Sequence, residues 1–269
     1  MPSWILRSLC RVLPLVAAVG LLAAASLSRQ IAAELPHWPR STVHGHDGRL
    51  ALGHWQGVPV AALSGRSHRY EGYTLDRVTF AVRVMHALGA RTLLFTNAVG
   101  AMNPEYQPGD LMLAIDHINS IGKRGLFTPA ELTARRAGRL VGGYYSPRLR
   151  ESLLAAARSA GVCLQRGVLM GGLGPAYETA AEVGMATSLG ADVACMSTVH
   201  EVMLAAQLGA EAASISCITN RATGLSAGPL AHTEVTEVAD RVAGSLRRIL
   251  EEFLRAGTFP PAMDGAATR

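Results

Sequence analysis

Lysine is all but missing from this sequence: of 25 basic residues, Lys123 is the single lysine. Charge of any kind is scarce at 17%, and the net balance is only +5. So mild a charge reads as a solvated surface, and it also favours small anions such as phosphate. Aromatics make up just 5%, so a core must be built from alanine and small aliphatic side chains packed closely between helices and a sheet. The cysteines, Cys10, Cys163, Cys195 and Cys217, form no CxxC pair and no Cys/His cluster at zinc spacing. That excludes the common zinc modules and leaves buried thiols in a reducing compartment as the plain reading. There is no internal repeat and no linker long enough to divide the chain.

What is present is a globular composition, 49% hydrophobic with 28 glycines in 269 residues, enough to bury a sizeable core. After Pro36, short apolar runs alternate with helical periodicity. Strands are expected at 57–63, 92–96, 110–118, 167–170, 192–196 and 212–219. Helices are expected where Val78, Val82, Met85 and Leu88 recur, and at 149–160, 179–189, 199–208 and 234–255. This alternation predicts an α/β fold: a mixed, mostly parallel sheet flanked by helices on both faces. Ligands in such sheets sit at the carboxyl ends of strands. The expected organisation is a divergent apolar segment over 1–35, one domain over 36–256 and a flexible tail over 257–269. The first segment has two readings. Arg7 and Arg11 ahead of the uncharged run Val12 to Leu27 look like a signal peptide, whereas Leu15 to Val19 reads as a buried strand followed by a helical turn. As a membrane span the run is short and rich in alanine.

Four blocks concentrate the chemistry. Gly171-Gly172-Leu173-Gly174-Pro175-Ala176-Tyr177-Glu178-Thr179 sets a carboxylate behind a glycine turn, where a backbone can close around a flat ligand. Gly65-Arg66-Ser67-His68-Arg69-Tyr70-Glu71-Gly72 offers a planar cationic fork with an imidazole two residues on, on the same side of an extended segment. Thr96-Asn97-Ala98-Val99-Gly100 reads as a strand running into a turn with backbone N–H groups. Met196-Ser197-Thr198 adds a hydroxyl, and His46 lies in Gly45-His46-Asp47-Gly48. Any one of these side chains alone is more often a solvated or packed residue. Glu178 alone would be a helix N-terminal carboxylate.

Together, and in this order, the blocks resemble the trimeric purine nucleoside phosphorylases over about Pro36 to Leu254. The resemblance implies phosphorolysis of 6-oxopurine nucleosides (inosine, guanosine and their deoxy forms) to free base and ribose 1-phosphate, in purine salvage. It gives Arg66, His68, His46, Ser197 and the backbone of Ala98 to phosphate. It gives Glu178 to the base N1–H, and Asn220, after the strand ending at Thr219, to N7 and the 6-oxo group. Met196 becomes the ribose floor, Tyr70 a ribose contact, Tyr177 a stacking aromatic and His232 the partner of the 5′-hydroxyl. Glu178, Asn220 and His68 are the implied catalytic residues, with Thr219 in the binding set. Phosphate is a co-substrate, and no metal or organic cofactor is implied. The expected assembly is a homotrimer in the cytoplasm, without nucleic acid or membrane; export or membrane attachment through the apolar N-terminus is the alternative. The cytoplasmic resemblance favours the buried strand.

Two stretches depart from the family pattern. The first strand should lead into a Gly-Ser-Gly-Leu-Gly phosphate turn, but here Val19-Gly20-Leu21-Leu22-Ala23 follows. This loss motivates the alternative of a catalytically impaired nucleoside-binding homologue. Beyond His117-Ile118-Asn119, the stretch 120–143 is altered and basic, where the family sends a Phe to the neighbouring subunit; Phe127 is the candidate replacement.

Overall fold

The computed structural model describes residues 13–16, 26–31, 35–43, 46, 48–127, 143–225, 232–257 and 259. Nine strands form one sheet: β1 (Leu13–Val16), β2 (Ser26–Ile31), β3 (Arg49–Trp55), β4 (Val58–Ser64), β5 (Thr92–Ala101), β6 (Leu111–Asn119), β7 (Leu164–Gly171), β8 (Val193–Cys195) and β9 (Glu211–Arg221). The helices are α1 (Leu75–Val78), α2 (Phe80–Ala87), α3 (Pro147–Ser159), α4 (Ala180–Ser188), α5 (Val199–Gln207) and α6 (His232–Arg255).

The sheet is mixed. β1 runs parallel to both β4 and β5, β5 to β9, β6 to β7 and β7 to β8. The antiparallel pairs are β2/β3, β3/β4, β5/β8 and β6/β9. Because β5 pairs with both β8 and β9, the strands β5, β8, β7, β6 and β9 return on themselves and close a ring. Closure removes the edges that an open sheet would leave at this end.

Helices cover both faces, as the alternation on β5 requires. Leu93 and Phe95 point into a core with Val82 and Met85 of α2 and Val202 and Met203 of α5. Leu94, between them, joins Leu149 and Leu153 of α3 and Ile249, Leu250 and Phe253 of α6 on the other side. That period-2 split is what a strand buried on both faces must show.

Several elements differ from the sequence expectation. The 97–100 stretch is not a turn: β5 continues to Ala101, with a register break between Val99 and Gly100. The helix through Val78 and Val82 is split at the fully buried Thr79, whose hydroxyl donates back to Leu75 O at 2.7 Å. The first strand falls at Leu13–Val16 rather than 15–19, and β2 and β3 were not anticipated. The stretch 17–25, where the phosphate turn of the family would fall, lies outside the described residues, as does 128–142. Phe127 packs, half-buried, against its own subunit's core. Of the expected tail, Phe259 meets the ring of Phe253 edge-on at 5.3 Å, and 260–269 lie outside the described residues. No helix among the described residues is long and apolar enough to cross a membrane.

Candidate active site

The carboxyl ends of β4, β7, β8 and β9 and the second half of β5 surround one cavity of about 280 Å³. Each strand delivers a different kind of group, so the sheet decides what stands beside what.

Beyond β4, Gly65 takes φ +89, and a Cβ there would lie 2.6 Å from the His46 Cα. Only glycine lets the His46 backbone come this close. The same approach sets His46 Nδ1 within 2.8 Å of Arg66 O and 3.1 Å of Arg66 N. The Arg66 guanidinium donates from Nη2 to Thr96 O at 2.9 Å and from Nη1 to Ser197 Oγ at 3.4 Å.

His68 is buried, with its ring stacked on Tyr70 at 4.8 Å and tilted against His46 at 5.0 Å. Its Nδ1 lies 2.9 Å from Glu71 Oε1, which also accepts from the His68 N–H at 2.7 Å. Desolvation pulls the His68 pKa down to about 4 against the raising effect of Glu71. The ring is therefore neutral at pH 7, and with Nδ1–H donating to Glu71 its Nε2 is an acceptor. Glu71 feels burial pushing it up, but the hydrogen bonds it accepts from Thr42 and His68 outweigh that and hold it below the ordinary carboxylate value. It stays charged and orients the imidazole.

On the opposite wall, the loop after β7 folds back through two glycines. At Gly172 a Cβ would sit 3.1 Å from Glu178 Oε1, so the absent side chain makes room for the carboxylate. Gly174 takes φ +68, and a Cβ there would lie 2.8 Å from the Tyr70 ring and 3.0 Å from Met196 Cγ. Gly174→Ala is expected to displace both side chains, raising the KM of a substrate held in this cavity about tenfold and costing roughly 1–2 kcal/mol of stability. Steady-state kinetics and thermal unfolding check both effects.

At the end of β9, Thr219 Oγ1 lies 2.9 Å from Asn220 Oδ1 and 3.2 Å from Val99 O, and shares its proton between them. Asn220 Nδ2 donates to Arg221 O at 2.9 Å, which turns the amide edge toward the cavity with one N–H left over. Gly100 packs close beneath, its ideal Cβ position 3.0 Å from Asn220 Nδ2.

β8 ends in Cys195, whose thiol is pushed up to about 11 by burial, followed by Met196 and Ser197. Thr198 then adopts φ 66 and ψ −48 while Val199 N donates to Ser197 O at 2.7 Å. This is a γ-turn of the rare positive-φ kind, strained for a β-branched residue. Strain of this sort persists where the surroundings over-determine it, commonly at binding sites.

Glu178, Asn220, His68, Arg66, His46, Ala98, Ser197, Tyr70, Tyr177, Met196 and Thr219 all line this one cavity. His232 opens α6, but its side chain lies outside the described residues. The sequence left unassigned Glu71, Glu201 and the Asn97 amide, which is 6% exposed with neither amide atom partnered among the described residues. A carboxylate three residues past a histidine is a visible signal for the first; nothing local marks the other two. No group of three or more His, Cys, Asp or Glu fit to hold a metal ion occurs among the described residues.

The cavity in this mixed α/β sheet is lined on the one hand by cationic and hydroxyl-bearing side chains and on the other by a carboxylate and an amide, chemistry suited to an anion beside a flat polar heterocycle. The model of the Phosphorylase superfamily matches residues 14–255. The chain is 42% identical over 222 residues to "Purine nucleoside phosphorylase 1" of Geobacillus stearothermophilus, covering 82% of this chain and 81% of that protein. It is 43% identical over 221 residues to the Bacillus subtilis (strain 168) protein of the same name, covering 82% of each. The solved Schistosoma mansoni purine nucleoside phosphorylase in complex with inosine superposes with a TM-score of 0.85 at 28% identity, covering 95% of this chain and 93% of that one. The chain belongs to the purine nucleoside phosphorylase family.

Proposed function

We propose that this protein is a purine nucleoside phosphorylase, a pentosyltransferase that converts 6-oxopurine nucleosides and phosphate to free base and ribose 1-phosphate. The observation that carries the reading is the convergence of those eleven residues, drawn from distant parts of the chain, on one cavity. In this reading phosphate rests on Arg66, His46, Ser197 and the Ala98 N–H, and the His68 Nε2 accepts from a protonated phosphate oxygen. The purine is read by Glu178 at N1–H and by Asn220 at N7 and the 6-oxo group. Ribose lies over Met196 and beside Tyr70, with His232 toward its 5′-hydroxyl. Tyr177 covers the base.

The chemistry follows from where the charges stand. As the C1′–N9 bond stretches, the sugar gains positive character and the bound phosphate anion stabilises it. A phosphate oxygen then forms the new bond to C1′, and the electron pair of the broken bond leaves with the purine. Asn220 donates to N7 as that negative charge develops, and the base leaves after taking a proton from solvent, which balances the proton that hydrogen phosphate gives up on forming the ester. The work is positioning and electrostatic stabilisation. Phosphate is the co-substrate, and neither metal nor organic cofactor takes part.

The proposed assembly is a homotrimer in the cytoplasm. Leu173, Tyr177, Met185, Leu189 and Leu225 are large apolar side chains exposed on and beside the loop that carries Glu178, a setting that a neighbouring subunit would cover. The domain is proposed to span 36–256 together with β1 and β2, which join its sheet; β1, seated between β4 and β5, supports the buried-strand reading of the N-terminus.

A second reading is kept because the Gly-Ser-Gly turn is missing from the sequence: a homologue that binds nucleosides without turning them over. Hypoxanthine release from inosine, followed at zero and at high phosphate, separates the two. Release only with phosphate supports the phosphorylase. Nucleoside binding without release at high phosphate supports the binder.

A further inference from the structure

Among the described residues, two Thr-x-x-Glu stretches begin helices, and they are built differently. At α4, Thr179 accepts from the Glu182 N–H at 3.2 Å and Glu182 accepts from the Thr179 N–H at 2.7 Å, which closes a capping box. At α5 the same pattern, Thr198-Val199-His200-Glu201, does not close. Thr198 makes no side-chain cap bond, and its φ of 66 forms the strained turn described above.

Glu201, 2% exposed, reaches across to Arg66 instead, with Oε2 3.1 Å from Nε. The Nε–H does not point straight at that oxygen, since neither atom completes a hydrogen bond; the pair is held by charge. Behind it lies a small void of about 20 Å³ lined by Ser41, Gly65, Ser67 and Glu201. A buried carboxylate that has given up its helix cap carries a desolvation cost that only a partner offsets.

The consequence is that Arg66 is held from three sides. Glu201 faces Nε, Thr96 O takes Nη2 and Ser197 Oγ takes Nη1. A planar fork fixed in this way turns its remaining N–H groups into the cavity in one orientation. We infer that Glu201 is a positioning residue for the anion site, holding Arg66 in the orientation that binds phosphate. The inference rests on Arg66 being a phosphate ligand, as proposed above.

The sign of one kinetic constant decides it. Glu201→Gln keeps the side-chain shape and removes the charge. If Glu201 acted only as a nearby negative charge, its loss would tighten phosphate binding and the phosphate KM would fall. Positioning requires the opposite: the phosphate KM rises about tenfold, with the inosine KM unchanged. Glu201→Asp, whose shorter arm withdraws from Nε, should raise it as well and serves where the glutamine variant fails to fold. Arg66→Gln should raise the phosphate KM by itself, and adding Glu201→Gln to it should change nothing further. A phosphate KM that falls or stays fixed in folded Glu201 variants, while Arg66→Gln raises it, overturns the inference. A lowered Tm with unchanged phosphate KM assigns Glu201 a structural role only and also overturns it. An Arg66→Gln variant with the parent's phosphate KM overturns the reading of the anion site itself.

Discussion

Glu178→Ala is expected to lower kcat/KM for inosine by about a thousandfold or more while leaving the fold intact. The proposed contact is a carboxylate accepting from the purine N1–H. A site built to pair a polar edge loses orders of magnitude when the pairing is removed, because the base is left with an unsatisfied donor in a partly closed pocket. The loss should appear in kcat as well as KM, since the carboxylate also fixes the base while charge develops on it. Stability should hardly move. Glu178 is only half-buried, and the capping box that starts α4 belongs to Thr179 and Glu182. Glu178→Gln keeps one acceptor oxygen and should fall between parent and alanine variant. Steady-state kinetics with a thermal melt on the same samples checks both halves.

Arg66→Ala is expected to lower kcat/KM for phosphate by roughly two to three orders of magnitude. Nucleoside affinity measured without phosphate should stay near the parent's. This substitution also destabilises the protein, by about 3–5 kcal/mol, because Glu201 is left buried without its cation. Arg66→Lys is not a mild change: an ammonium is a point charge and cannot reach Thr96 O, Ser197 Oγ and Glu201 together. It should keep part of the stability and lose most of the phosphate selectivity. Phosphate titrations at fixed inosine, paired with calorimetric nucleoside binding, separate these effects.

The parts of the site that were legible in the sequence are those whose residue types are unusual for their setting. Glu178 behind glycines, Arg66 two before His68, and Asn220 at the end of an apolar run each break a local rule, and such breaks mark function. The cavity joins all three. The fold class was legible from short uncharged runs alternating with helical periodicity: 92–101 and 212–220 carry no charge, and β5 and β9 are buried almost throughout, as strands covered on both faces must be.

What escaped has equally physical causes. Asn97-Ala98-Val99-Gly100 reads as a turn because Asn and Gly favour turns. Pairing with β9 overrides that preference, and the glycine instead marks the register break beside Asn220. β3 escaped because Arg49-Leu50-Ala51-Leu52-Gly53-His54 lacks clean alternation; antiparallel pairing with both β2 and β4 makes it a strand. Glu201 escaped because Thr198-Val199-His200-Glu201 is a plausible capping box, and only tertiary structure shows the carboxylate turned toward Arg66.

The central claim is that phosphate, not water, receives the ribosyl group. A ³¹P NMR spectrum of inosine, inorganic phosphate and enzyme tests it in one measurement. The expected result is loss of the inorganic phosphate signal and growth of a sugar 1-phosphate signal, in step with hypoxanthine. Hypoxanthine appearing while inorganic phosphate stays constant and free ribose accumulates would contradict the account.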